Sequence, residues 1–169
     1  MPGDYAIIVK TADCTGCSAC EVACKQEHDT PVGPRWIKVT TDGPREIDGK
    51  PQLRYSVAHC LHCDKPGCMA VCPADAITKR EDGIVLVDPD LCDGCLSCLE
   101  GCPINVMQFN DEKNRAEKCD LCVDRLDRGL NPACVNVCPA GCIYHGETAA
   151  VFEKAGKPEQ LARYKSIHS

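Results

Sequence analysis

The stretch Cys92-Asp93-Gly94-Cys95-Leu96-Ser97-Cys98-Leu99-Glu100-Gly101-Cys102-Pro103 governs how the rest of the chain is read. Its spacing is C-x2-C-x2-C-x3-C-P. Three thiols recur at every third residue, a fourth follows about one helical turn later, and proline then ends the turn because it has no N–H to extend the ladder. A [4Fe–4S] cube has four iron corners, each needing one thiolate. A short loop with cysteines every third residue wraps three corners and turns its N–H groups toward the sulfides, offsetting their negative charge. The fourth cysteine, on the helix leaving the loop, points away and ligates a neighbouring cluster, so this spacing predicts clusters in crossed pairs.

The pattern recurs through the chain. Cys14, Cys17, Cys20 and Cys24 repeat the spacing, with Lys25 in place of the proline. Cys60, Cys63, Cys68 and Cys72 precede Pro73, with a second gap longer by two residues. Cys119, Cys122, Cys134 and Cys138 precede Pro139, with a much longer second gap. Of 17 cysteines only Cys142 falls outside the four groups. Disulfide frameworks favour secreted chains and even counts, whereas here the count is odd and no export signal is visible. Structural zinc uses separated pairs, and three cysteines in seven residues would crowd a tetrahedral ion and leave a fourth idle. Laying Cys68–Ile77, Cys98–Met107 and Cys134–Ile143 over one another gives a single register, the mark of a repeated supersecondary unit. In that register Cys142 sits where Ala76 and Val106 sit, so it reads as a small buried hydrophobe rather than a ligand. Without a proline after Cys24, the first group continues as a longer helix toward His28.

Composition bounds the alternatives. A chain of 169 residues suits one domain or two small ones. Aromatic residues are only 4%, with one Trp and two Phe, so clusters must supply part of the core and the iron-free chain is expected to be largely unfolded. Lys and Arg number 19 against 25 Asp and Glu, a net charge of -6 with no basic stripe, which argues against nucleic acid and against a polybasic membrane patch. No apolar run is long enough to span a bilayer, and Met1–Lys10 has neither a secretory pattern nor a twin arginine. A cytoplasmic location is therefore expected, with export as a passenger on a signal-bearing partner left open. No phosphate-binding or nucleophile-elbow motif occurs, and no nucleophile–base pair can be argued, so no catalytic residue is expected.

Between the groups the pattern is of short strands. Tyr5–Thr11 reads as a strand. Arg35–Thr40 and Leu53–Val57 alternate around Asp48-Gly49 and predict a hairpin within the insertion. Ile77–Val87, turning at Asp82-Gly83, predicts another. Pro158–Ile167 reads as a terminal helix. Trp36 is expected in the core. Lys25, Lys65 and Lys118 beside cluster cysteines read as solvated. His59 and His62 read either as partly exposed or as tuning hydrogen bonds to a cluster. His28, His145 and His168 carry no assigned chemistry.

At this point the chain resembles the four-cluster iron–sulfur subunits of molybdenum or tungsten pterin oxidoreductases, the dimethyl sulfoxide reductase type. The resemblance covers residues 5 to 147. It rests on His62-Cys63 before Pro66-Gly67-Cys68, on the three Cys-Pro steps, and on Lys118-Cys119-Asp120-Leu121-Cys122 with Pro132-Ala133-Cys134. It is also similar in size to small polyferredoxin subunits of tungsten aldehyde oxidoreductase complexes. The resemblance implies an α+β fold. Two ferredoxin-like two-cluster units would be related by a pseudo-twofold repeat: an outer unit at 1–30 and 110–148 and an inner unit at 58–109. A β-hairpin insertion would occupy 31–57 and a C-terminal tail helix 149–169. It implies four [4Fe–4S] clusters with nested ligands. Cys60, Cys63 and Cys68 would share one with Cys102, and Cys92, Cys95 and Cys98 one with Cys72. Cys14, Cys17 and Cys20 would share one with Cys138, and Cys119, Cys122 and Cys134 one with Cys24. Spacing supports crossing within a pair; which groups pair comes from the resemblance alone. The implied role is non-catalytic electron transfer to or from a large pterin-bearing catalytic subunit, with a further electron-accepting subunit or copies of the chain itself as other partners. A free-standing polyferredoxin serving several enzymes is the competing reading. Relatives often extend further beyond group four toward a membrane partner. Only Glu147–Ser169 remain here, so a membrane-anchor partner is not expected, and without a long apolar run neither is direct membrane insertion.

Overall fold

The computed structural model describes residues 5–156. Its elements are small, as expected of a chain in which cysteine loops take up most of the length. In order they are β1 (Tyr5–Val9), a single 3₁₀ turn, α1 (Ala19–Glu27), β2 (Ile37–Ile47), β3 (Lys50–His59), α2 (Gly67–Ala70), β4 (Ile77–Lys79) and β5 (Val85–Val87). There follow α3 (Ser97–Glu100), β6 (Gln108–Asn110), β7 (Arg115–Glu117), α4 (Val123–Leu126), α5 (Ala133–Val137), β8 (Ile143–Glu147) and α6 (Thr148–Lys154). All four sheets are antiparallel pairs: β1 with β8, β2 with β3, β4 with β5, β6 with β7. None of the described helices is long and apolar enough to cross a membrane.

The expected strand at Tyr5 forms, and its partner lies at the far end of the described chain, with Ile7 opposite His145. The insertion is a hairpin whose register runs Ile37 opposite His59 to Ile47 opposite Lys50, with one irregularity between Asp42 and Arg45. Only its base is buried, through Ile37 and His59. Ile77 pairs with Val87 in the second expected hairpin. The helix after group one is longer than its counterparts, nine residues against four or five. The anticipated helix at Pro158–Ile167 lies outside the described residues; within them the last helix is α6.

The internal repeat extends to backbone dihedrals. The second residue after the first cysteine of every group is left-handed: Gly16, His62, Gly94 and Leu121. So is the third residue after each Cys-Pro cysteine: Asp75, Asn105 and Gly141. Asn, Asp and Gly tolerate this conformation best, and each turn closes by donating its N–H back to the carbonyl of Cys72, Cys102 or Cys138. The apolar strand start that follows is buried in each copy: Ala76-Ile77, Val106-Met107 and Cys142-Ile143.

Three apolar clusters hold these pieces together. The largest gathers Cys20, Cys24, Cys119 and Cys134 with Ile7, Ile37, Leu121 and Ile143, and reaches Cys60, Ile84 and Val106. The second contains Cys68 and Cys98 with Ile77, Val85, Met107 and Ala116. The third is cysteine-free: Ile8, Val151, Phe152 and Ala155 lock α6 onto β1 and β8. Trp36 is half-buried against the first cluster and stacks on His28, with ring centroids 4.3 Å apart.

Candidate metal centres

The left-handed residues shape the cysteine loops. In the first loop Gly16 and Ser18, and in the third Gly94 and Leu96, alternate with cysteines, so successive N–H groups converge on one side. Gly16 cannot be replaced at low cost, because the ring of Tyr55 from β3 occupies the space a Cβ would take and the φ of +69° disfavours side chains.

Two recesses result. One, of about 350 Å³, is lined by Cys60, Cys63, Cys68 and Cys102 and closed by apolar groups such as Val85 and Met107. The other, of about 330 Å³, is lined by Cys14, Cys17, Cys20 and Cys138, with Cys142 and the apolar Val9, Val39 and Val57 also at its wall. Each joins a loop trio to the fourth cysteine of another group. Neighbouring charges link further cysteines of different groups. Cys24 feels the thiolates of Cys122 and Cys134, and Cys98 feels those of Cys92 and Cys72. The neighbourhood also carries over between sets: Cys60 acts on Cys119, Cys20 on Cys134, and Cys68 on Cys98. Cys17 and Cys95 are exposed, whereas Cys24, Cys119, Cys122 and Cys134 are buried.

The donor set suits iron–sulfur chemistry. Soft thiols and apolar side chains line both recesses, with no Asp, Glu or His among the lining residues. Burial raises these thiols from the usual 9.0: Cys20, Cys68 and Cys122 to about 11, and Cys134 to about 12. Cys24 and Cys119 are also raised well above their ordinary value, again by burial first. Free of metal they hold their protons, so loading releases protons as thiolates form. Cys138 moves the other way: burial opposes ionisation there, but hydrogen bonds from the N–H groups of Cys142, Ala140 and Ile143 and from the Cys142 thiol together outweigh it. Weak donation to sulfur recurs elsewhere, from the N–H groups of His62, Val106 and Ala116 to Cys60, Cys102 and Cys92, each at 3.5 Å.

Comparison with known proteins agrees with this geometry. Residues 51–148 and residues 13–76 each match a family model described as a 4Fe-4S dicluster domain. The B subunit of the anaerobic dimethyl sulfoxide reductase of Escherichia coli is 37% identical over 99% of this chain and 85% of its own length. The B subunit of the polysulfide reductase of Wolinella succinogenes is 36% identical over 93% of this chain and 83% of its own. This chain belongs to their family of four-cluster iron–sulfur subunits. The iron–sulfur subunit of the nitrate-inducible formate dehydrogenase of Escherichia coli is another relative, 35% identical over 96% of this chain. The chain spans 60% to 66% of the length of some of these iron–sulfur subunits. As a dicluster iron–sulfur subunit with two such domains it carries four [4Fe–4S] clusters, and its family members are the electron-carrying components of oxidoreductases whose chemistry is done by another subunit.

Several side chains behave differently from their sequence reading. Lys118 is buried, not solvated: its Nζ donates to Val85 O and, at 3.0 Å, to Cys119 O. Its charge lowers the Cys68 thiol, although burial still dominates there. Lys25 is likewise engaged, donating at 2.6 Å to the carbonyls of Pro31 and of Pro34, while Lys65 is exposed as expected. His59 and His62 are both buried, which removes the exposed reading; burial lowers both imidazoles, so they are neutral. His62 Nδ1 accepts the Val85 N–H at 3.0 Å. Cys142 is buried as expected, with its Sγ 3.6 Å from that of Cys138. His28, given no role above, lies against Cys122. Its spacing from Cys24, four residues along an uninterrupted helix, was the available signal.

Proposed function

We propose that the chain relays single electrons through its four clusters to or from a large pterin–molybdenum or pterin–tungsten catalytic subunit. The observation that carries this reading is the pair of recesses, each bringing a loop trio together with the fourth cysteine of another group. The names of the relatives, as components of dimethyl sulfoxide and polysulfide reductases, support the class of partner.

The proposed ligand sets are the nested ones. Cys60, Cys63, Cys68 and Cys102 hold one cluster, and Cys92, Cys95, Cys98 and Cys72 the next, within an inner unit at 58–109. Cys14, Cys17, Cys20 and Cys138 hold a third, and Cys119, Cys122, Cys134 and Cys24 the fourth, within an outer unit at 1–30 and 110–148. The segment 31–57 is inserted between them. A pseudo-twofold relation between the units is supported by the repeated left-handed positions and by two matching helix pairs, α2 on α3 and α1 on α5.

When bound, each cluster takes up and gives back one electron. The loop N–H groups offset negative charge, and the buried thiols of Cys24, Cys119 and Cys134 keep water from the middle of the path. Lys118 sets a cation between Val85 and Cys119, where groups two and four approach. In this reading the sets lie along a line, group one beside group four, group four beside group two and group two beside group three, an order supported by the neighbouring thiols Cys20 and Cys134, Cys60 and Cys119, and Cys68 and Cys98. The exposed Cys17 and Cys95 then mark its two ends, where electrons enter and leave. So many thiolates suit a reducing compartment such as the cytoplasm.

Paired alanine substitutions test the ligand sets. Holoprotein carries about sixteen irons. C63A and C102A, alone or combined, are expected to remove the same cluster, whereas C63A with C72A removes two. Equal losses for both double variants would overturn the nested pairing. Affinity purification from the native host tests the role: a large pterin-bearing chain is expected to come along, and isolation of the chain alone would favour a free-standing polyferredoxin.

A further inference from the structure

The one helix without a proline stop carries more than its cysteines. In groups two, three and four the chain turns at Pro73, Pro103 and Pro139, directly after the fourth cysteine. In group one Lys25 lets α1 run on, and His28 caps it by donating its N–H to Cys24 O at 3.1 Å. Residues four apart share a helix face. Cys24 and His28 therefore meet the same neighbour: Cys24 feels the Cys122 thiolate, and His28 Nε2 lies 3.3 Å from Cys122 Sγ. Asp120 Oδ1 is 3.5 Å from the same nitrogen. It also accepts the Cys122 N–H at 2.7 Å. A metal-bound thiolate and a carboxylate are both acceptors, so the nitrogen facing them must carry the proton. The stack on Trp36 and the Arg125–Glu27 ion pair at 3.0 Å hold the ring and the helix end in place.

We propose that His28 is a positioning residue that donates an Nε2–H···Sγ hydrogen bond to Cys122 and thereby holds the cluster of Cys24, Cys119, Cys122 and Cys134 at a higher reduction potential than its environment would otherwise give. The inference rests on the ligand set proposed above. Its physical basis is that a hydrogen bond to a ligating sulfur withdraws electron density and stabilises the reduced, more negative state. Among the described residues the other side-chain contacts to a proposed ligand sulfur are the hydroxyl of Ser97, 3.5 Å from the exposed Cys95 Sγ, where water competes, and the thiol of Cys142, a weak donor 3.6 Å from Cys138 Sγ. At Cys122 burial excludes that competition. The continuation of α1 past Cys24 thus has a consequence for the site: it brings a ring donor to a ligand sulfur that is shielded from water.

The test is an electron-paramagnetic-resonance redox titration of anaerobically purified holoprotein. H28F keeps an aromatic ring against Trp36 and removes the donor. One of the four midpoints is expected to shift downward while three stay in place. H28M, a donor-free variant without a ring, is expected to give the same shift, and H28Q, which keeps an N–H donor, to restore most of it. C122A identifies the cluster concerned and separates the two readings. If C122A leaves all four clusters intact, the ligand assignment fails. If C122A removes one cluster but neither donor-free variant moves that midpoint, or all four midpoints move together, the hydrogen-bond proposal fails.

Discussion

In the proposed pairing, the inner and outer halves of this molecule use the same loop in different ways. Groups two and three are close in sequence, and their four-residue helices α2 and α3 cross almost backbone to backbone. A Cβ on Gly67 would stand 2.5 Å from Gly101 O, and one on Gly101 would stand 2.5 Å from a Val71 methyl. Groups one and four are joined through a nine-residue helix, a sheet linking residue 5 to residue 147, and long-range side-chain contacts such as His28 to Cys122. The inner half gets close approach from small residues and short chain closure. The outer half must close a long loop, and it uses longer elements and an apolar patch free of cysteine to do so.

That contrast predicts what survives when iron is taken away. Chelation should abolish most tertiary order, because the first two apolar clusters are built around cysteines that cluster binding holds together. Residual protection is expected in β1, β8 and α6, where Ile8, Val151, Phe152 and Ala155 pack without any thiol. Hydrogen-exchange mass spectrometry of the chelated chain checks this. Protection concentrated instead in α2 and α3 would reverse the comparison.

A smaller perturbation addresses the inner half alone. Gly67→Ala forces a methyl against the Gly101 carbonyl, which is backbone and cannot swing aside. Overpacking of this kind costs about 1–3 kcal/mol. Chelator-driven iron loss should accelerate for the two inner clusters and be unchanged for the outer two. Uniform acceleration of all four would show that the halves do not open independently.

Much of this organisation was readable from residue order. The cysteine spacings, the Cys-Pro steps and the overlay of Cys68–Ile77 on Cys134–Ile143 marked out the repeated unit, and Ala76, Val106 and Cys142 are all buried where that overlay placed them. Asp48-Gly49 marked a hairpin that forms. What spacing could not convey was which side chains from distant segments converge. Lys118 looked like any lysine beside a cysteine, and its burial depends on the carbonyl of Val85, thirty-three residues away. His28 needed the third dimension for the same reason, as its partner is ninety-four residues away. A chain with so little aromatic core gives weak periodic signals, so long-range polar contacts must be seen rather than inferred.

The smallest expected effect falls on the segment that belongs to neither half. Most of β2 and β3 beyond Val39 and Val57 is exposed on both faces, and Val39 and Val57 already contribute to the recess at group one. Tyr55 is needed as well, because its ring covers Gly16 in the first cysteine loop. Thr41 and Tyr55 face one another in the register. Replacing residues 42–54 by a two-residue Asn-Gly turn between them therefore keeps every contact with the clusters' surroundings and removes only a solvated arm. The change in stability is expected to stay within about 0.5 kcal/mol, as for surface changes away from packed features. Iron content and all four midpoints should match the parent chain. A loss of the group-one cluster in this variant would mean that the outer part of the arm, and not just its base, supports the cysteine loop beneath it.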